Sequence, residues 1–278
     1  MTIIRPKKSL GQHFLKDLTI AQRIAETLSA YCGLPVLEVG AGMGVLTRFL
    51  IAGNHNLSVV EIDKKASAYL RQNFPSLEGR IYTKDFLQMN LSEIYDAKFC
   101  VIGNYPYYIS SQIFFKALEF RDQVVCCSGM IQKEVAERLA AKSGSGKTFG
   151  ILSALIQPWF DVEYLFTVNE NVFDPPPKVK SAVVRLTRNG RNDLGCDEAM
   201  YKKVVKTAFN QRRKTLRNSL KPLFGKDFRD CHLPVFDKRP EQISINQFID
   251  LTLMAEKRTE ERRNEGLTKE TKFIIRNP

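Results

Sequence analysis

The residues best placed to do chemistry begin with a glycine-rich stretch, Leu37-Glu38-Val39-Gly40-Ala41-Gly42-Met43-Gly44. Glycine lets a backbone turn tightly and come close to a ligand. A G-x-G-x-G turn between a strand and a helix suits several nucleotide-like ligands, or simple packing. A dinucleotide site wants its third glycine where Val45-Leu46 stand, which weakens that reading. Glu61 comes 21 residues after Gly40, at the end of the next apolar run. There a carboxylate can accept both ribose hydroxyls of an adenosine moiety. Asp85 follows the third run and is suited to accept from an adenine amine. Either acid alone could be an exposed cap. Their shared placement after successive strands aims both at one crevice.

A second group, Asn104-Tyr105-Pro106-Tyr107, ends the fourth run. It resembles the [DN]-x-P-[YF] motif of enzymes that methylate amines conjugated to a ring. Such an amine is a poor nucleophile because its lone pair is delocalised. Two acceptors aimed at its hydrogens, the Asn104 side-chain oxygen and the Tyr105 backbone carbonyl, favour the pyramidal, reactive form. Pro106 stiffens the turn, and Tyr107 can stack on an extruded base. By contrast, Ser143-Gly144-Ser145-Gly146-Lys147-Thr148 only imitates a phosphate-binding loop. Ala141 stands where the first glycine belongs, and a helical pattern over 134–142 precedes it instead of a strand, so a loop is expected.

The elements that must position these groups alternate. Val36–Val39, Leu57–Ile62, Arg80–Thr83, Phe99–Ile102 and Val124–Gln132 read as strands, most of them apolar on both faces. Gly44–Ala52, Lys64–Asn73 and Ser110–Leu118 carry helical spacing between them. This rhythm predicts an α/β domain with a parallel, doubly wound sheet. Val162–Val168 and Ser181–Thr187, joined through Phe173-Asp174-Pro175-Pro176-Pro177, predict an antiparallel pair at the sheet edge. A polar, glycine-containing stretch at 189–195 reads as a linker. Beyond it, Asp197–Leu220 has helical periodicity, with Lys206, Asn210, Arg213, Arg217 and Lys221 in one stripe. Glu241–Ala255 reads as a final helix, and 257–278 as a charged, frayed tail. The expected division is a catalytic domain over 1–188, a smaller all-helical domain over 196–256, and the tail.

Of the net charge of +12, +8 falls in residues 186–278, which makes a polyanion such as nucleic acid a natural partner for that part. No apolar run approaches the roughly 20 residues that span a bilayer, and the basic start has no apolar stretch behind it, so neither membrane insertion nor secretion is expected. Six scattered cysteines without C-x-x-C spacing read as small hydrophobes in a reducing compartment, with no metal role.

Further strings narrow the resemblance. Lys8-Ser9-Leu10-Gly11-Gln12-His13-Phe14-Leu15 looks like the N-terminal cofactor motif of ribosomal RNA adenine dimethyltransferases. Phe173, Pro175-Pro176-Pro177-Lys178-Val179 and Ser181-Ala182-Val183-Val184 match that family's loop near the target base. Phe209-Asn210-Gln211-Arg212-Arg213-Lys214-Thr215-Leu216-Arg217 and Arg239-Pro240-Glu241-Gln242 match its small-subunit (16S) branch. The resemblance covers residues 5 to about 255. It implies a Rossmann-like, seven-stranded S-adenosylmethionine-dependent methyltransferase domain. The implied product is N6,N6-dimethyladenosine at two adjacent adenosines near the 3′ end of small-subunit rRNA, made during subunit biogenesis.

The resemblance also implies roles. S-adenosyl-L-methionine would meet Gln12, His13, Leu15, Gly40, Gly42, Glu61, Ile62, Asp85, Phe86 and Asn104. Asn104, Tyr105, Pro106 and Tyr107 would act on the amine, with Phe173 flanking the adenine opposite Tyr107. Lys7, Lys8, Arg212, Arg213, Lys214 and Arg217 would meet RNA phosphates. The family more often has Asn at the position of His13 and Leu at that of Tyr105. A monomer acting in the cytoplasm on the assembling small subunit follows from the same match. Three rivals are weaker. A large-subunit rRNA enzyme is disfavoured by the 209–217 and 239–242 strings, a non-catalytic assembly or transcription factor by the complete 104–107 motif, and a DNA methyltransferase by the lack of a sequence-reading module.

Overall fold

The computed structural model describes residues 12–225 and 228–276. Among them the chain forms two compact units: the described residues up to Ala140 with Trp159–Gly190, and Ala141–Pro158 with the described residues from Arg191 on. The expected boundary at 188 therefore needs amending, because 141–158 belongs with the helical unit.

The first unit contains β1 (Phe14–Leu15), α1 (Leu18–Ala25), β2 (Pro35–Val39), α2 (Thr47–Ala52), β3 (Asn56–Val60), α3 (Lys64–Asn73), β4 (Ile81–Tyr82), β5 (Phe99–Asn104), α4 (Ser110–Glu119), β6 (Val124–Gln132), α5 (Lys133–Leu139), β7 (Phe160–Val168), β8 (Phe173–Asp174) and β9 (Ser181–Arg188). Seven strands make one sheet in the order β4-β3-β2-β5-β6-β9-β7. The first five are parallel. β9 runs antiparallel between β6 and β7, so the expected antiparallel pair does close one edge. The parallel strands bury Val36, Leu37, Val59, Val101 and Ile102 completely, as strands covered on both faces must. Asp63 caps α3 by accepting from Lys65 N at 2.9 Å.

This strand order fixes where a ligand can bind. β2 has β3 on one side and β5 on the other, so the chain leaves their carboxyl ends in opposite directions. The crevice of an open α/β sheet opens at such a switch point. Gly40, Glu61 and Asp85 follow β2, β3 and β4, and Asn104 ends β5. A separate two-stranded ladder, β1 against β8, pairs Phe14 with Asp174 and Leu15 with Phe173.

The second unit is helical: α6 (Ile151–Ile156), α7 (Glu198–Asn210), α8 (Leu216–Ser219), α9 (Lys221–Phe224) and α10 (Ile245–Arg276). Tyr201, Val204, Val205 and Ala208 form the buried face of α7, and the Tyr201 hydroxyl donates to the Ala154 carbonyl at 2.8 Å. Phe209 lies 5.8 Å from Phe248 and 6.3 Å from Phe149. Two expectations are corrected. The helix predicted to run to Leu220 stops at Asn210, where Gln211 leaves helical geometry and accepts from Lys214 N. The tail predicted to fray from 257 continues α10 to Arg276, because its Glu, Lys and Arg residues are good helix formers. Among the described residues no helix is long and apolar enough to cross a membrane.

Candidate active site

A cavity of about 440 Å³ opens at the switch point, a size usual for small-molecule sites. The described part of the N-terminal motif, the glycine turn, Glu61, Asp85 and the 104–107 tetrapeptide all line it. Gln12, His13, Leu15, Gly40, Gly42, Glu61, Ile62, Asp85, Phe86 and Asn104 are thus brought together from five separate stretches of chain.

The glycine turn is shaped by what surrounds it. Gly42 has φ +55°, and a Cβ there would come within 3.3 Å of the Phe14 ring. At Gly44 (φ +73°) a Cβ would lie 2.3 Å from Phe74. A side chain at either position is therefore strained by conformation and obstructed by an aromatic ring. A Cβ on Gly40 would meet Pro106 Cδ at 3.7 Å, which shows how closely the turn approaches the tetrapeptide.

Glu61 is buried and holds the turn directly. Its Oε2 accepts from Gly42 N and its Oε1 from Asp63 N, each at 2.8 Å. Burial pushes its carboxyl above the ordinary value, and these two backbone N–H groups pull against that. Asp85 is half-buried and accepts from Leu87 N at 2.9 Å through Oδ1.

Glu38 had not been singled out as a site residue. It lies on β2 just before the turn, lines the cavity and is buried. Desolvation pushes its pKa up to about 8, with a smaller contribution from the nearby Glu61 charge, against the hydrogen bond from Thr47 Oγ1 at 2.6 Å. An acid inside an apolar strand was the signal that could have found it.

Asn104 Nδ2 donates to the His13 carbonyl at 3.3 Å. A carbonyl can only accept, so this bond orients the amide and leaves Oδ1 as the atom available for an amine. Tyr105 N donates to Met130 O at 3.1 Å, which ties the tetrapeptide to β6. The Tyr105 side chain turns away from the cavity and is only 1% exposed. The Tyr107 hydroxyl shares a 2.6 Å hydrogen bond with Ser181 Oγ, and its ring stacks on His13 at 5.6 Å. His13 Nδ1 lies 2.7 Å from the Pro175 carbonyl. The imidazole, at a position where Asn is more common, thus links Tyr107 to the proline loop.

Phe173 departs from expectation. It is 0% exposed, packs in the apolar core with Leu15 and Val168, and is not part of the cavity wall. Its backbone pairs with Leu15, and its apolar ring follows that ladder inward.

The basic candidates divide. Lys7 and Lys8 lie outside the described residues. Arg212 donates to the carbonyls of Lys147 and Phe149, the latter at 3.0 Å, and lies 3.9 Å from Glu241. Arg217 pairs with Asp237. Both thus have partners within the helical unit. Arg213 and Lys214 are exposed. The phosphate-loop mimic at 143–148 is a turn, held by Gly146 N donating to Glu241 O and Ile245 N donating to Ser143 Oγ.

The ribosomal RNA small subunit methyltransferase A of Parabacteroides distasonis is 65% identical over 267 residues, covering 96% of this chain and 100% of that protein. The protein of the same name from Bacteroides thetaiotaomicron is 62% identical, covering 92% and 96%. A dimethyladenosine transferase from Plasmodium falciparum superposes with a TM-score of 0.73 at 25% identity, covering 89% of this chain and 98% of that one. For the 23S rRNA methyltransferase ErmE the TM-score is 0.65 at 26% identity, covering 87% and 99%. A family model described as ribosomal RNA adenine dimethylase matches residues 3–257, nearly the whole chain, and the chain belongs to that family.

Proposed function

We propose that this chain is an S-adenosylmethionine-dependent methyltransferase that converts two adjacent adenosines near the 3′ end of 16S rRNA to N6,N6-dimethyladenosine. The observation that carries this reading is the orientation of Asn104, whose Nδ2 is committed to the His13 carbonyl while Oδ1 remains for an amine. The small-subunit substrate, as opposed to the large-subunit one, is favoured by 65% identity to a small-subunit enzyme against 26% to the 23S enzyme.

The residues fit the cofactor. The glycine turn leaves room against the cavity floor, and buried Glu61 stands where a ribose would lie. Asp85 suits an adenine amine, with Ile62 and Phe86 as apolar walls. Gln12, His13 and Leu15 close the near side. When bound, the cofactor supplies an electrophilic methyl on a sulfonium. The chain's own work is positioning. Asn104 Oδ1 and the Tyr105 carbonyl accept from the target amine and favour its pyramidal form. Pro106 fixes the turn, and Tyr107, held by Ser181 and His13, supports the ring of the base. No strong base is required.

Arg213 and Lys214 are the exposed members of the basic string and are assigned to RNA phosphates. Lys7 and Lys8 carry the same assignment from the sequence. The substrate particle is the assembling small subunit, and the enzyme acts as a monomer in the cytoplasm. The test is incubation with labelled S-adenosylmethionine and unmethylated small subunits, followed by nucleoside analysis. Label in N6,N6-dimethyladenosine is expected; label absent or in another nucleoside would refute the proposal.

A further inference from the structure

We infer that the exposed ring of Tyr108 is a stacking platform for a nucleobase, the neighbour in the RNA of the adenine held at 104–107. This rests on the reading above. Tyr108 lines the cavity and yet is 55% exposed. The aromatic side chains of Phe14, Phe86 and Tyr107 on that wall are buried or half-buried. Its hydroxyl has no hydrogen-bond partner among the described residues, so no polar contact accounts for its place at the rim.

The local backbone separates the duties of the two adjacent tyrosines. Tyr107–Ile109 forms a 3-10 turn, fixed by Ile109 N donating to Pro106 O at 3.2 Å and Ser110 Oγ donating to Tyr107 O at 3.1 Å. At three residues per turn, successive side chains point about 120° apart. Tyr107 is committed to His13 and Ser181, while Tyr108 faces another direction from the same wall. Phe173, expected as the second ring near the substrate, is in the core. An exposed π-face at the mouth of a nucleotide-sized cavity suits an unpaired base, since stacking accepts any base and orders single-stranded RNA. A substrate in which two adjacent adenosines are modified places a second base beside the first.

The test compares Tyr108→Ala, Tyr108→Phe and Tyr108→Trp on unmethylated small subunits with S-adenosylmethionine. Tyr108→Ala is expected to raise KM for the subunits about tenfold, while Tyr108→Phe and Tyr108→Trp stay near the parent and S-adenosylmethionine affinity is unchanged in all. A KM for Tyr108→Ala within twofold of the parent would overturn the inference. So would Tyr108→Phe failing as badly as Tyr108→Ala, which would assign the role to the hydroxyl. A parallel loss of S-adenosylmethionine affinity would overturn it too, by assigning the ring to the cofactor. A second readout does not depend on methyl transfer. In Tyr108→Trp the native Trp159 is buried, so fluorescence changes on titration with oligoriboadenylate report on position 108. Quenching supports stacking, and its absence contradicts it. If the parent itself leaves subunits unmethylated, the proposed function fails, and the fluorescence arm still decides the role of Tyr108.

Discussion

The Tyr105 hydroxyl donates to the Ser128 carbonyl at 2.7 Å, which fastens the residue after Asn104 to the middle of the neighbouring strand. The ring fits because both strands carry glycine beside it. A Cβ on Gly103 would lie 2.7 Å from Tyr105 Cε1, and one on Gly129 would lie 2.4 Å from Tyr105 Cε2. Phe114 packs edge-on at 6.0 Å. The large side chain, where Leu is more common, therefore occupies the core without narrowing the cavity. Tyr105→Phe should cost about 1 kcal/mol of stability by denaturant midpoint, with a fall in kcat and little change in KM. Gly129→Ala should be the more damaging, at about 3 kcal/mol. Equal stability of all three proteins would contradict this packing.

Glu61 joins the cavity wall to the backbone of the glycine turn. Glu61→Gln keeps the shape but sets an amide nitrogen against a backbone N–H of Gly42 or Asp63. Losing one hydrogen bond to a charged group is worth about 1.5–3 kcal/mol. S-adenosylmethionine affinity by calorimetry should fall roughly 10- to 100-fold. An unchanged affinity would remove the ribose assignment.

Glu38 should give the fold a pH dependence. Its carboxyl titrates about 8 in the folded chain against 4.5 for an unperturbed glutamate. Between those values the folded chain holds a proton that the unfolded chain has released. The contribution is therefore complete below about 4.5 and lost as pH rises through about 8, at up to about 1.4 kcal/mol per pH unit. Glu38→Gln can still accept from Thr47 and cannot ionise. The parent should lose more melting temperature than Glu38→Gln between pH 5.5 and pH 8.5. Parallel loss in the two proteins would show that Glu38 does not carry this proton.

The basic string should separate into structural and RNA-facing members. Arg212→Ala removes the donor to Lys147 and Phe149 and should destabilise the helical unit by about 1–3 kcal/mol. Reversing Arg213 and Lys214 to Glu should leave stability near the parent. It should weaken binding to small subunits and flatten the slope of log affinity against log salt by about 0.7–0.9 per lost phosphate contact. An unchanged slope would make those two residues an ordinary solvated surface.

What could be read in the sequence divides by the range of the forces involved. The parallel strands and Lys64–Asn73 were legible because a strand buried on both faces writes a continuous apolar run, and a helix writes its own period. The glycine turn and the acids were legible because each follows such a run. The end of α7 at Asn210 was not, since apolar periodicity continues to Leu220 while Arg212 is drawn to carbonyls more than 60 residues earlier. Phe173 was expected beside the base from the resemblance alone; its long-range pairing with Leu15, which no local pattern records, accompanies a ring fully buried in the core. Tyr105 and Gly129 stand 24 residues apart in the sequence, and only the register of β5 on β6 brings them together.

The most direct test of the proposed chemistry compares the parent with Asn104→Ala on unmethylated small subunits, mapping N6,N6-dimethyladenosine along the 16S rRNA while S-adenosylmethionine binding is followed by calorimetry. The predicted result is dimethylation of two adjacent adenosines near the 3′ end by the parent, a rate lower by about 100-fold or more for Asn104→Ala, and cofactor binding still measurable in the variant. Equal turnover by Asn104→Ala, or modification by the parent at another kind of nucleotide, would contradict the role assigned to the Asn104 oxygen.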